Sequence, residues 1–177
     1  VYFVYSGEVM LYNLTKHGNR KVIFILGKGQ LLNQSIVSKK PNALFCEAVC
    51  PVKVIEIAEE QFLQLMEQSH ALTRAVLREY ERNLWRMGHQ LKNTTGNMQM
   101  ERKIAAKLWK LGRDFGVDTE DGVMIDIDLT ITLMADLVGA PRENVSRACK
   151  VLTDRGLIRY GNKRFILTDS DGLAEFY

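Results

Sequence analysis

The sequence predicts an α+β chain in which an antiparallel β-roll, a long helix and a winged helix-turn-helix follow one another. Three observations carry this. Residues 1 to about 58 alternate apolar and polar, with Gly, Asn or Pro every eight to twelve residues, as short antiparallel strands do. Residues from about 71 to 98 hold an apolar heptad on a helical period. Residues 130 to 153 hold two short amphipathic helices separated only by Gly139-Ala140, with a basic hairpin pattern behind them.

The strands are expected at "VYFVY", "EVMLYNL", "KVIFIL", "ALFCEAV" and "VKVIEI", with turns at Ser6-Gly7, "KHGN" and "GKG". Val1 opens directly on strand-like sequence, so a portion before it is expected. The first unit is taken as 1–66, the long helix as 67–98 and the last unit as 99–177. At Ala58 the period turns helical, with "EEQFLQLMEQS" as a short helix. In the long helix Leu77, Tyr80, Leu84, Met87, Leu91, Thr94 and Met98 alternate steps of three and four, which predicts a seam with a second copy of the chain. Packing on the chain's own β-roll is the alternative for that helix, and different faces can serve both. Gly88 costs about 1 kcal/mol against alanine within a helix, so it calls for a packing or binding reason.

Beyond residue 99 come a helix "MERKIAAKLWKLGRDFG" closed by Gly116, a linker "VDTEDGVMIDID", the two short helices and a hairpin. Thr130 suits an N-cap, Gly139 a tight turn and Pro141 a helix start, while Ala135 is small enough for a close helix crossing. The hairpin is "LIRY" and "KRFILT" with its turn at Gly161-Asn162.

In the helix 141–153, Val145, Ala148, Cys149 and Leu152 form one buried stripe and leave Arg142, Glu143, Ser146, Arg147 and Lys150 on the opposite face. That set of donors and acceptors can contact both phosphates and base edges of double-stranded DNA. Over the whole chain of 177 residues the net charge is only +3, with 46% hydrophobic and 25% charged residues. From 140 to 167, however, seven basic residues face two acids, and this concentration singles out the C-terminal end as the surface for a polyanion.

Three cysteines, Cys46, Cys50 and Cys149, match no zinc spacing and no redox pair, which predicts no metal site and buried thiols in a reducing compartment. Neither an apolar run of membrane-spanning length nor an export leader is present, so the expected location is cytoplasmic. Ser-His-Asp, Cys-His, HExxH and phosphate-loop patterns are all missing, and the chain is expected not to be an enzyme.

The stretch "LTITLMADLVGAPRENVSRACKVLTDRGLI" resembles the Crp/Fnr family of transcription regulators, and the order of parts extends the resemblance over nearly the whole chain. It implies a cupin-like, cyclic-nucleotide-binding-domain-like sensor, a dimerisation helix, and a homodimer that binds an inverted-repeat operator and, if an activator, RNA polymerase. It implies that Glu143 meets a cytosine amino group and Arg147 a guanine. The Glu143, Ser146, Arg147 form is similar to the Fnr side of the family, which implies a TTGAT-like half-site. Thr130 and Arg142 are then expected on phosphates, with Lys150, Lys163 and Arg164 positioning the domain, and a hinge is expected near Asn97 to Gln99.

The sensor departs from the cyclic-nucleotide binders of that family. Where they carry Gly-Glu and then Arg-Ser or Arg-Thr, this chain has Leu32-Asn33 and Ala43-Leu44-Phe45. Without the arginine a buried phosphate loses its partner, so cyclic AMP is not the expected effector. A weaker resemblance to regulators of halogenated-aromatic respiration implies an apolar or aromatic effector, no other cofactor, and a pocket around Leu31, Leu32, Leu44 and Phe45, with Trp85, Gly88 and His89 as further candidates. The competing reading is a signalling module whose C-terminal domain binds protein.

Overall fold

The computed structural model describes residues 1–16, 18–38, 40–94 and 99–176, and for 91–94 the backbone alone. It divides into two compact units, Val1–Thr94 and Thr95–Tyr177.

In the first unit β1 (Tyr2–Ser6) pairs antiparallel with β5 (Lys53–Glu56), placing Phe3 opposite Ile55. A second sheet has β2 (Val9–Leu14) between β3 (Arg20–Leu26) and β4 (Phe45–Ala48), with Leu11 opposite both Phe24 and Cys46. The turn joining β1 to β2 needs Gly7. Its φ is +81°, and a Cβ there would lie 2.5 Å from the Pro51 carbonyl oxygen. Among the described inward-facing residues, Leu11, Phe24 and Leu26 form one cluster and Val1, Leu31, Ile36, Phe62 and Val76 another. The strand β4 is exposed along its whole length, so Cys46 is on the surface and not in the core as its sequence setting suggests. Cys50 is half-buried and donates to Glu8 Oε2 at 2.9 Å, while the Glu8 amide donates to its sulfur at 3.3 Å.

Two helices follow, α1 (Glu59–Gln68) and α2 (His70–Thr94). Phe62 of α1 and Val76 of α2 enter the second cluster, with Leu72 and Tyr80 packed beside them. The Tyr80 hydroxyl donates to the Asn33 carbonyl at 3.3 Å, and Gln90 Nε2 to the Ile23 carbonyl at 2.7 Å, so one face of α2 lies along its own β-roll. Tyr80 therefore packs partly on its own β-roll, the alternative that the sequence allows for this helix. Leu77, Leu84 and Met87 remain exposed.

The second unit runs α3 (Met100–Phe115), β6 (Gly116–Thr119), β7 (Gly122–Ile125), α4 (Ile131–Val138), α5 (Arg142–Asp154), β8 (Ile158–Gly161), β9 (Arg164–Leu167) and α6 (Ser170–Phe176). The expected linker is in fact the hairpin β6–β7, and it joins the wing in one sheet ordered β6-β7-β9-β8. Val123 pairs with Leu167 and Met124 with Ile166, and the chain continues in alternation beyond β7. Ile125, Ile127 and Leu129 are buried, while Asp126 and Asp128 between them point outward. Gly116 does not close α3 in a left-handed turn, because its φ is −77° and its ψ 142°. Its role is steric: a Cβ would stand 2.0 Å from the Gly112 carbonyl oxygen and 2.6 Å from Val123 Cγ1. The terminal α6, not foreseen in the sequence, begins where Asp169 Oδ1 accepts from the Gly172 amide at 2.8 Å, and Leu173 anchors it. The core of this unit lies where α3 meets α4, α5 and α6 over the sheet.

Candidate nucleic-acid interface

Rotation of α5 about its axis is set by four buried side chains, Val145, Ala148, Cys149 and Leu152, which face α3. Arg142, Glu143, Ser146, Arg147 and Lys150 are consequently all exposed. Burial pushes the Cys149 thiol up to about 11, so it is an uncharged core group and no thiolate nucleophile at neutral pH. Arg147 Nη2 donates to Asn144 Oδ1 one turn earlier on the helix.

The junction preceding α5 is tight. Thr130 Oγ1 caps α4 by accepting from the Leu133 amide at 3.0 Å, and its own proton stays available as a donor. Gly139 takes φ +72°, ψ 49°, and the amides of Gly139 and Ala140 both return to the Ala135 carbonyl, at 2.8 and 3.2 Å. Pro141 is extended and precedes the first helical residue, so α5 starts at Arg142, one residue later than its spacing suggests.

The wing turn falls at Asn162-Lys163 and not at Gly161-Asn162, since Gly161 pairs with Arg164 across the hairpin. Both turn residues are left-handed, with φ of 49° and 59°, the pattern of a two-residue type I′ turn. Lys163 holds its exposed ammonium at the tip in a backbone conformation that favours glycine, and its carbonyl accepts from the Leu129 amide at 2.7 Å. Arg164, grouped with Lys163 as a positioning contact by sequence, is half-buried and engages Asp126 and, at 3.6 Å, Asp128. Arg159 pairs with Asp121. Hence Lys163 is the wing cation presented outward, whereas Arg164 ties the wing to the segment leading into Thr130.

Residues proposed for an effector are spread over the first unit. Leu31 is in the Phe62 cluster, Leu32 and Leu44 pack on the Leu11 cluster, and Phe45 is 53% exposed and stacks on Tyr12 with centroids 5.5 Å apart. These four do not share one cluster. Trp85 and His89 form an exposed ring pair 3.9 Å apart on α2, and a Cβ on Gly88 would meet nothing within 4 Å. Of the heptad residues, Leu77 and Leu84 are 55% and 69% exposed. The side chains of Leu91 and Thr94, together with Met98 and Asn97, lie outside the described residues. Among the described residues no group of three or more His, Cys, Asp or Glu could hold a metal, and no helix is long and apolar enough to cross a membrane.

Residues 102–176 match a Crp-like helix-turn-helix domain and residues 1–69 a cyclic nucleotide-binding domain. The CRP-like cAMP-activated global transcriptional regulator of Mycobacterium tuberculosis is 25% identical over 175 residues, covering 98% of this chain and 78% of the relative. FixK2 from Bradyrhizobium japonicum superposes with a TM-score of 0.83 at 20% identity, covering 99% of this chain and 85% of that one. CprK in complex with OCPA superposes with a TM-score of 0.71 at 16% identity, over 98% of this chain and 78% of that one.

The left-handed Lys163 gives a stability prediction. Lys163→Gly creates the Asn-Gly pair that type I′ turns prefer, and should stabilise the second unit by about 0.5–1 kcal/mol in denaturant unfolding. A loss of stability would mean that the Lys163 side chain contributes more than its backbone costs.

Proposed function

The chain belongs to the Crp/Fnr family of DNA-binding transcription regulators, with an effector-binding domain ahead of the helix-turn-helix, and from that premise we propose a homodimer whose α5 reads each half of an inverted repeat similar to TTGAT. The observation that carries this reading is the outward face of α5. Glu143 offers only acceptors, Arg147 only donors, and both stand clear of the protein surface on a helix exposed along that face. Such a pair matches a cytosine N4 amino group and the O6/N7 edge of guanine in a major groove. Thr130 at the start of α4, Arg142, Lys150 and Lys163 supply phosphate contacts, Ser146 lies between the two base readers, and Arg164 acts by holding the wing.

Two recognition helices meet one DNA face when the half-sites lie one helical turn, about 34 Å, or a multiple of it apart, and the second copy supplies the other helix. The apolar stripe of Leu77, Leu84 and Met87 on α2 supports pairing, since it is left uncovered by the β-roll. Leu84→Lys should convert the dimer to monomer in sedimentation equilibrium while leaving helix content unchanged. Retention of the dimer would move the interface elsewhere.

In the sensor, the segment where nucleotide binders place Gly-Glu is occupied by internal bonds. Asn33 Oδ1 accepts from the Tyr2 amide at 2.7 Å, and Gln34 Oε1 from the Leu44 amide at 3.0 Å. With no arginine at 43–45 to meet a phosphate, the effector is an apolar or aromatic compound and not cyclic AMP. It controls DNA binding only through its differential affinity for two arrangements of the dimer. Titration calorimetry with cyclic AMP should be flat, whereas a panel of aromatic acids and phenols should contain a compound that raises the melting temperature. Micromolar binding of cyclic AMP would overturn this assignment. The Mycobacterium tuberculosis relative is a transcriptional regulator, and we propose no catalytic activity and a cytoplasmic location; RNA polymerase is the further partner if the chain activates.

Selection of bound duplexes from a random pool by the full chain tests the DNA reading, and a TTGAT-like inverted repeat is the expected product. On that duplex Arg147→Ala should cost about 1–3 kcal/mol and relax preference at one base pair per half-site. Equal loss on all sequences would remove Arg147 from base reading.

A further inference from the structure

We propose that Asn144 is a specificity-determining positioning residue, which holds the Arg147 guanidinium in place for its base and makes no bidentate adenine contact itself. This rests on the reading of α5 as the DNA-reading helix. A guanidinium has donors only, so the amide oxygen of Asn144 must be the atom facing Arg147, and the observed bond runs from Arg147 Nη2 to Asn144 Oδ1.

Spacing makes this bond informative. Glu143 lies four residues before Arg147 on the same helix, the separation at which a carboxylate and a guanidinium readily pair. Among the described residues Glu143 forms no ion pair, and Arg147 turns to the neutral Asn144. An Arg147–Glu143 pair would neutralise both base readers at once. The amide of Asn144 therefore fixes the arginine and leaves the Glu143 carboxylate to accept from cytosine.

Asn144 also loses a reading option of its own. Recognition of adenine by asparagine takes the amide oxygen and nitrogen together, at N6 and N7. The bond from Arg147 occupies one lone pair of Oδ1 and orients the amide toward the guanidinium, so presenting Oδ1 and Nδ2 together to one adenine competes with that bond. Arg147 keeps free N–H groups for a fork on guanine, because Nη2 carries a second proton and Nε and Nη1 are not used in the bond to Asn144. An arginine already restricted in its rotamers gives up less freedom on binding, so its base preference is sharper.

Two measurements on the full chain test this. In the free protein, 15N relaxation of the Arg147 Nε–H should report a more ordered side chain than Arg142, and Asn144→Ala should bring it to the level of Arg142. Equal mobility of the two arginines, or no change in the variant, would overturn the proposal. On duplexes selected by the wild-type protein, Asn144→Ala should reduce preference roughly 3- to 10-fold at the base pair where Arg147→Ala loses it, with the salt dependence of binding unchanged. Asn144→Asp keeps the acceptor, so it should retain that preference while lowering affinity on every sequence. Loss of preference by Asn144→Ala at a different base pair would make Asn144 a base reader. A uniform loss with a shallower salt dependence would make it a phosphate contact. Either result contradicts the proposal with the operator reading intact. If the wild-type chain selects no motif, the operator reading fails, and the relaxation measurement alone decides the role of Asn144.

Discussion

The contact between α5 and α3 governs what this protein can present. Val145 and Leu152 are fully buried and Ala148 and Cys149 nearly so where α5 packs on α3, whose own Ile104, Leu108 and Leu111 are buried. Full burial of a Val or Leu side chain contributes about 1.5–3 kcal/mol. Rotating α5 by one residue, about 100°, would expose the stripe and drive Ser146 or Arg147 toward the core, where an unpaired polar group or charge costs several kcal/mol more. The outward face is therefore fixed by the inward one. Cys149 belongs to this argument as packing material, since its raised pKa keeps it neutral in that stripe.

Weaker interactions set the distance and register of what surrounds the helix. Gly139 supplies the left-handed residue that lets α4 stop and the chain reach α5 within three residues, and the small Ala135 receives the returning amides. Arg164 with Asp126 and Asp128 fastens the wing to the segment leading to Thr130. Exposed ion pairs of this kind each contribute at most about 1 kcal/mol. Their importance is geometric: the wing cation Lys163, the cap Thr130 and the face of α5 are held in one frame by bonds that involve few residues.

How much of this could be read in the sequence varied with the physical signal. Helical period and punctuation located α4 and α5, because Thr130, Gly139 and the stripe Val145, Ala148, Cys149, Leu152 each have a single local cause. The hairpin 116–125 is hidden in the sequence because Asp118, Glu120 and Asp121 resemble a linker until the partner strand β9 is known. Glycine at 161 is the stronger local signal and points one residue too early for the turn, which strand register places at Asn162-Lys163. Tyr80 fits the heptad and yet packs on the β-roll, a tertiary choice between two faces of one helix. Asn144 carries no distinguishing signal as a sequence position, since its importance lies in which neighbour it bonds. In the sensor, Leu31, Leu32, Leu44 and Phe45 are close in sequence, but strand alternation and the turns sent them to different surroundings.

The central claim is that Arg147 on α5 meets the major-groove edge of one guanine. It is tested most directly by replacing each guanine of the selected operator in turn with 7-deazaguanine, which lacks the N7 acceptor, and measuring binding of the wild type and of Arg147→Ala. The account predicts one position per half-site where the replacement weakens the wild type about 10-fold and leaves the variant unaffected, because the contact is already absent. Equal weakening of both proteins at every guanine would contradict it.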